Sequence, residues 1–317
     1  SVTYSRIDRE LVYVSPSSRK IISTESLVHN ASVGSRGVDL KGQQVDFFSD
    51  KRGETYFMED YESLENITTR NSVAQWVSEE YQPIETSTSP NSGWDSAAVS
   101  ALSNVEISLR YFKEVHNRSS FDNKGKKAES IVNMHGEHPK AGNLGLNAFF
   151  LPDADIMLYG TGDGVLSNFA GALDIAGHEL THGVINYSSE LVYKNQSGAL
   201  NESFADIFGT MIERKNWRMG EDLNAPDYLR ALVERDMDRP WIQGNPGHME
   251  DYRNLSTDDG GVHTNSSIPN RAYFLLAQGL TDENKGQSVG LAKAEKLAYQ
   301  TMLGLSGNDR FIHAAIK

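Results

Sequence analysis

The hydrophobic rhythm of the chain changes near Asn168, and this limits the available folds more than any single motif. Ahead of that point lie short extended segments broken by turn formers; behind it, apolar residues recur at helical spacing. Glu10-Leu-Val-Tyr-Val14 and Lys20-Ile-Ile-Ser23 flank Ser15-Pro-Ser-Ser18, a hairpin pattern. Val45-Asp-Phe-Phe48 and Glu54-Thr-Tyr-Phe-Met58 around Asp50-Lys-Arg-Gly53 form a second. The turn-rich stretch from Thr86 to Gly93 ends at Asp95, which stands as an N-cap before Ala97, Ala98, Val99, Ala101 and Leu102; that helix runs to about His116. Alternation returns between Ser130 and Tyr159. Further helices are predicted over residues 170–184, 203–213, 266–280 and 290–303. The expected class is therefore α+β, with a β-rich front lobe and a mainly helical back lobe. At 317 residues the chain exceeds one compact core, and a seam between two lobes is where ligand sites concentrate.

The chain has no cysteine, which removes disulfides, thiolate ligands and a cysteine nucleophile. Any metal site must draw on His, Asp and Glu. The net charge of −13 disfavours nucleic acid and anionic membrane as partners. No stretch approaches the ~18 to 20 consecutive apolar residues of a membrane span.

Against that background His178-Glu-Leu-Thr-His182 stands out. It sets two imidazoles four apart on one helix face, about 5 to 6 Å along the axis, as two ligands of one zinc require. Glu179 is displaced around the helix, suited to hydrogen-bond a water at the metal rather than to ligate it. By itself the motif is short enough to arise by chance. Asn201-Glu-Ser-Phe-Ala-Asp206 adds a third ligand, Glu202, from a second helix expected to begin there, and His₂Glu is a standard set for one catalytic zinc. Asp206, one turn on, can accept the spare ring N–H of a ligating histidine. A solvated acidic stripe is the competing reading, but Phe204, Ile207 and Phe208 argue for a packed helix. His263 follows the Gly260-Gly261 turn, with Asp258 five residues upstream to orient its ring; a plain loop histidine is the alternative. The local cluster His135, Gly136, Glu137, His138 reads as surface loop.

These residues resemble the thermolysin family of neutral metallopeptidases, over a stretch from about Gly37 to the last residue. His116-Asn-Arg-Ser-Ser-Phe-Asp122, Asn147-Ala-Phe, the His178 helix, Gly198 to Gly209 and Gly260-Gly-Val-His-Thr-Asn265 match its motifs in order. The resemblance implies a two-lobed fold with the zinc helix at the cleft, and a zinc endopeptidase acting on peptides and proteins. It implies zinc on His178, His182 and Glu202, and Glu179 as general base. Tyr193 and His263 would stabilise the oxyanion, with Asp258 as the partner of that histidine, while Asp206 and Asn201 orient the zinc histidines. Asn147, the main chain of Ala148, and Arg230 would hold the substrate backbone. Leu166, Phe169, Ile175, Met219, Leu223 and Leu229 would line the pocket for the residue after the scissile bond, so cleavage is expected before Leu, Phe, Ile or Val.

Departures from the family pattern matter too. A paired calcium site is common beside the zinc helix; Asp174, Glu213 and Glu221 keep its acids, but Asn216 and Arg218 stand where Asp and Glu are usual. One calcium is expected there, an Arg beside two close dications being costly. Residues 1–28 resemble the end of the family's propeptide, with processing expected near Leu27 to Ala31. Residues 29–190 would form the β-rich lobe and 191–317 the helical lobe, one helix short of the family's end. Ser1 is not a start methionine, so a longer precursor is expected. A monomer, secreted as most of the family is, completes the expectation. The alternatives are a zinc-binding module without activity, against which Glu179, Tyr193 and His263 speak, and a zinc exopeptidase, for which no anchor for a free terminus is evident.

Overall fold

The computed structural model describes residues 10–14, 21–26, 32–60, 71–78, 82–138, 142–279 and 288–316. Strands β1 (Glu10–Val14) and β2 (Ile21–Ser26) pair antiparallel as the first expected hairpin, with Glu10 opposite Ser26. The expected processing segment, residues 27–31, lies outside the described residues.

The front half holds two larger sheets. Strands β3 (Ser32–Val38), β4 (Gln44–Arg52), β5 (Thr55–Phe57) and a short strand at Thr86–Ser87 make a four-stranded antiparallel sheet. The second expected hairpin is its β4–β5 pair, with β4 also laddered to β3 from Ser32↔Asp50 to Val38↔Gln44. The other sheet has β6 (Glu59–Asp60), β7 (Asn71–Gln75), β9 (Ala128–Met134), β12 (Ala148–Leu151) and β13 (Ile156–Gly160), β8 being the Thr86–Ser87 strand. Its order is β12-β13-β9-β7-β6, which leaves β12 on the edge. The ribbon β10 (Glu137–His138) and β11 (Gly142–Asn143) lies between β9 and β12 in the chain.

Helix α1 (Ser96–His116) crosses behind these sheets. Asp95 caps it by accepting from the amides of Ala97 and Ala98, and Asn117 ends it in the left-handed region. Its Ala/Val/Leu face supplies much of the core, which continues unbroken into the back half. There α2 (Leu173–Asn186) packs against α1, β12 and α3 (Asn195–Glu213). The seven-residue helix α4 (Asp227–Val233) lies between the two-residue strands β14 (Arg218–Met219) and β15 (Arg235–Asp236), and α5 (Asp258–Asn265), α6 (Ser267–Gln278), α7 (Leu291–Gly304) and α8 (Phe311–Ile316) follow. This is the α+β arrangement expected, with helices gathered in the back half.

One expected boundary is wrong. The second helix begins at Asn195, not at Asn201 or Ser203. The stretch Asn195-Gln-Ser-Gly-Ala-Leu200 that opens it is polar and glycine-bearing, with few apolar residues to mark a helical period. Gly198 is needed there for packing: a Cβ would stand 2.5 Å from Cγ1 of Val262, so its absence lets α5, which carries His263, approach α3. No helix among the described residues is long and apolar enough to cross a membrane.

Candidate metal centre

His178 and His182 lie on the same face of α2, and their Nε2 atoms are 3.0 Å apart. Each ring is turned by its other nitrogen. Nδ1 of His178 lies 2.9 Å from Oδ1 of Asp206, a group that can only accept, so the proton is on Nδ1. Nδ1 of His182 donates to Oδ1 of Asn201 at 2.7 Å, and that amide is oriented in turn because its Nδ2 donates to the carbonyl of Leu191 at 3.1 Å. Both Nε2 lone pairs therefore face a common point.

Glu202 completes the arrangement from α3. Its Oε2 is 3.4 Å from Nε2 of His178, and its Oε1 is 3.5 Å from Nε2 of His182. Ligands of a tetrahedral zinc at ~2.0 to 2.1 Å stand roughly 3.3 Å from one another, and the three separations bracket that value. Glu202 is 1% exposed, and its Oε2 is buried without a hydrogen-bond donor. Two lone pairs and an unsatisfied carboxylate oxygen converging in a buried site call for a cation, so the residues fit zinc.

The surroundings are graded in charge. Burial acts to raise Glu202, but His263, His182 and His178 outweigh it and hold it well below the usual carboxylate range. Burial pushes Glu179 up to about 7, helped by the charge of Glu202 and opposed by His178. Its Oε2 is also buried without a donor. Burial pulls His182 down to about 4.

On the open side, Tyr193 donates its hydroxyl to Oε1 of Glu202 and sits 3.2 Å from Nε2 of His263. Asp258 grips His263 twice, through Nδ1 at 2.6 Å and the main-chain N–H at 3.0 Å. The left-handed backbone of Asp258 through Gly261 makes that grip, folding the Asp258 carboxylate back over the start of the next helical turn. His263 and Tyr193 are both exposed, as donors that must meet a ligand would be.

Two family models match this chain: "Thermolysin metallopeptidase, catalytic domain" over residues 35–186 and "Thermolysin metallopeptidase, alpha-helical domain" over residues 189–316. The chain belongs to the thermolysin metallopeptidase family. It is similar to bacillolysin of Brevibacillus brevis, 34% identical over 304 residues, covering 93% of this chain and 53% of that protein. Bacillolysin of Bacillus amyloliquefaciens is 33% identical over 92% of this chain and 53% of its own length. Among solved structures, the precursor of protealysin, a metalloproteinase from Serratia proteamaculans, matches with a TM-score of 0.64 at 28% identity, covering 78% of this chain and 79% of that one. The chain spans about half the length of the curated relatives it matches.

Not every residue expected from the thermolysin family resemblance lies at the centre. Arg230 does not: it is exposed on α4, its guanidinium taken by Asp227 at 2.8 Å and Glu234 at 3.2 Å. Arg235 stands there instead, forked onto Asp206 at 2.6 to 3.0 Å and 3.5 Å from Nδ1 of His178. Sequence reasoning missed it because the two arginines are five residues apart, and only the path of the α4–β15 segment decides which turns inward. Asn147 and Ala148 lie at the start of edge strand β12, with Asn147 exposed and its Oδ1 accepting from the amide of Ala148. Leu166, Phe169 and Leu223 are buried in the core with Ile175 and Leu229 packed on it, and Met219 is buried against Gly209.

Asp174, Glu213 and Glu221 form a second acidic group beside α2. Burial lifts Asp174 to about 6, and burial with Asp174 and Glu221 nearby lifts Glu213 to about 7. Arg218, expected beside this group, has its guanidinium 3.8 Å from the carboxylate of Glu234. Lys215 is the nearer cation, 3.5 Å from Glu221, while the amide of Asn216 donates to the same carboxylate.

Proposed function

We propose that this chain is a zinc-dependent endopeptidase. The observation that carries the reading is the convergence of His178, His182 and Glu202 with a high-lying Glu179 on one side and the Tyr193–His263 pair on the other. When bound, zinc supplies a Lewis acid that acidifies water and polarises a carbonyl. Glu179 then takes the proton from the attacking water and delivers it to the leaving amine as the peptide C–N bond breaks, a role that its buried carboxylate, one residue along α2 from His178, is placed to fill. Tyr193 and His263 donate to the oxygen where negative charge develops, a contribution of about 3 kcal/mol for comparable donors. Asp258 keeps Nε2 of His263 turned to that oxygen.

The substrate lies extended along the free edge of β12, beginning at Asn147 and Ala148, with Arg235 rather than Arg230 holding a peptide carbonyl. Apolar side chains at Leu166, Phe169, Ile175, Met219, Leu223 and Leu229 support cleavage before Leu, Phe, Ile or Val. Asp174, Glu213 and Glu221, with Asn216 at their rim, hold one calcium. Residues 1–28 are the end of a propeptide, ahead of lobes at 29–190 and 191–317, a reading supported by the similarity to the protealysin precursor. The enzyme works as a monomer outside the cell; one relative of similar sequence is called an extracellular elastase, from Staphylococcus epidermidis.

Casein digestion tests the central claim, with and without a zinc chelator and with Glu179→Ala. We expect internal cuts that the chelator abolishes and that fall by at least about 100-fold in the variant. Fragments mapped by mass spectrometry should begin with Leu, Phe, Ile or Val; charged residues dominating that position would refute the pocket assignment. Stepwise loss of terminal residues would favour an exopeptidase, and no turnover a silent binding module.

A further inference from the structure

Asp206 is fully buried and can only accept hydrogen bonds, and all four of its lone-pair directions are used. Oδ1 takes Nδ1–H of His178 at 2.9 Å and Nη2–H of Arg235 at 2.6 Å. Oδ2 takes Nε–H of Arg235 at 2.8 Å and Nδ2–H of Asn270 at 2.8 Å. The fourth donor comes from α6, 64 residues away in sequence. Its amide has only one workable orientation, since Oγ–H of Ser203 donates to Oδ1 of Asn270 at 2.7 Å and the carboxylate requires Nδ2 on its own side. Ser203 and Asn270 are each 1% exposed. Ser203 directly follows Glu202, so the relay Ser203–Asn270–Asp206–His178 starts beside one metal-facing residue and ends on another.

We propose that Asn270, held by Ser203, is a positioning residue of the metal centre: it fixes the plane of the Asp206 carboxylate so that Oδ1 stays available to Nδ1 of His178. The proposal rests on the zinc reading above. Arg235 alone gives a weaker hold, because its side chain is 21% exposed on a two-residue strand, whereas Asn270 sits on the buried face of a twelve-residue helix. Without the fourth donor the carboxylate can swing with the arginine fork. His178 then loses its fixed ring orientation, and Nε2 no longer points at the metal position in a single geometry. A merely structural asparagine would instead act on folding and leave metal affinity alone.

The test uses the full chain with Asn270→Leu, Ser203→Ala and Ser203→Thr. Zinc affinity is read by competition with a chromophoric chelator, ligand geometry by the visible spectrum of the cobalt(II)-substituted protein, and folding by melting of the metal-free form. We expect Asn270→Leu to bind zinc about tenfold more weakly and to shift the cobalt bands, Ser203→Ala to move both the same way by less, and Ser203→Thr, which keeps the hydroxyl, to restore them. Affinity within about twofold of the parent and an unchanged cobalt spectrum, in folded Asn270→Leu and Ser203→Ala, would overturn the proposal. If Asn270→Leu does not fold, parent-like affinity and spectrum in Ser203→Ala overturn it alone. A parent protein that binds no zinc would instead sink the functional reading itself.

Discussion

Two arginines carry the sharpest lesson about single residues. Arg230 and Arg235 are equally available on sequence grounds, yet one is spent on surface ion pairs and the other is forked onto Asp206 beside His178. Surface pairs of the first kind are worth little, whereas truncating one partner of a buried charged pair is costly. Arg235→Leu should therefore lower kcat/KM on the order of 100-fold, about 3 kcal/mol, while Arg230→Leu changes it little. Steady-state kinetics on a short peptide decide; equal losses in the two variants would restore Arg230 to the site. The histidine pair, by contrast, was legible from the chain alone. Ligands four apart on one helix are placed by helix geometry, which no tertiary contact needs to supply.

At the scale of elements, the crossing of α2 and α3 sets the distance from His178 and His182 to Glu202. The helices touch through two glycines: a Cβ on Gly177 would stand 3.1 Å from Cα of Gly209, and one on Gly209 would stand 2.5 Å from the main-chain oxygen of Asp174. Gly209→Ala should cost about 1 to 3 kcal/mol in urea unfolding, as overpacking does, and weaken zinc binding with it. Gly34→Ala meets nothing within 4 Å and serves as the control; comparable losses in both would dismiss the close approach. The same crossing gathers Asp174 from α2, Glu213 from the end of α3 and Glu221 from the turn after β14. Three like charges in a partly buried group favour a divalent ion. Calcium at 100 times its Kd should raise Tm by about 5 °C, and Glu213→Gln should remove most of the rise. Two calcium ions counted per chain, or no rise, would contradict the single-ion proposal. The start of α3 was illegible for a different reason: Asn195 to Gly198 offer no apolar residue from which a helical period can be read.

Across the whole molecule, the front and back halves share one apolar core, and His116 sits where they meet. Its ring stacks on Tyr299 of α7 at 4.2 Å, meets Phe208 of α3 edge-on, and lies 3.3 Å from the hydroxyl of Tyr111. Burial, with Lys296 nearby, pulls this histidine down to about 4 from an ordinary 6.5. The unfolded chain accordingly binds a proton below about 6.5 that the folded chain refuses until about 4. Stability present above pH 6.5 should fall as pH drops through that window, by on the order of 1 kcal/mol from this ring once solvent screening of its exposed part is allowed for. Urea unfolding at pH 7 and pH 4.5 should show a smaller difference for His116→Gln than for the parent; equal differences would rule the ring out as a source. On its own, the sequence determined the fold class, the turn and cap positions, and the cluster of His178 and His182 on one helix with Glu202 from the next. Each of these depends on contacts within a few residues or on helical spacing, and the hydrophobic pattern encodes both. The tertiary structure alone decided that Arg235 rather than Arg230 stands beside His178, that Arg218 meets Glu234, and that Asn270 completes the shell of Asp206. Those choices depend on how distant segments pass one another in a packed core, and nothing local to any one of these residues records it.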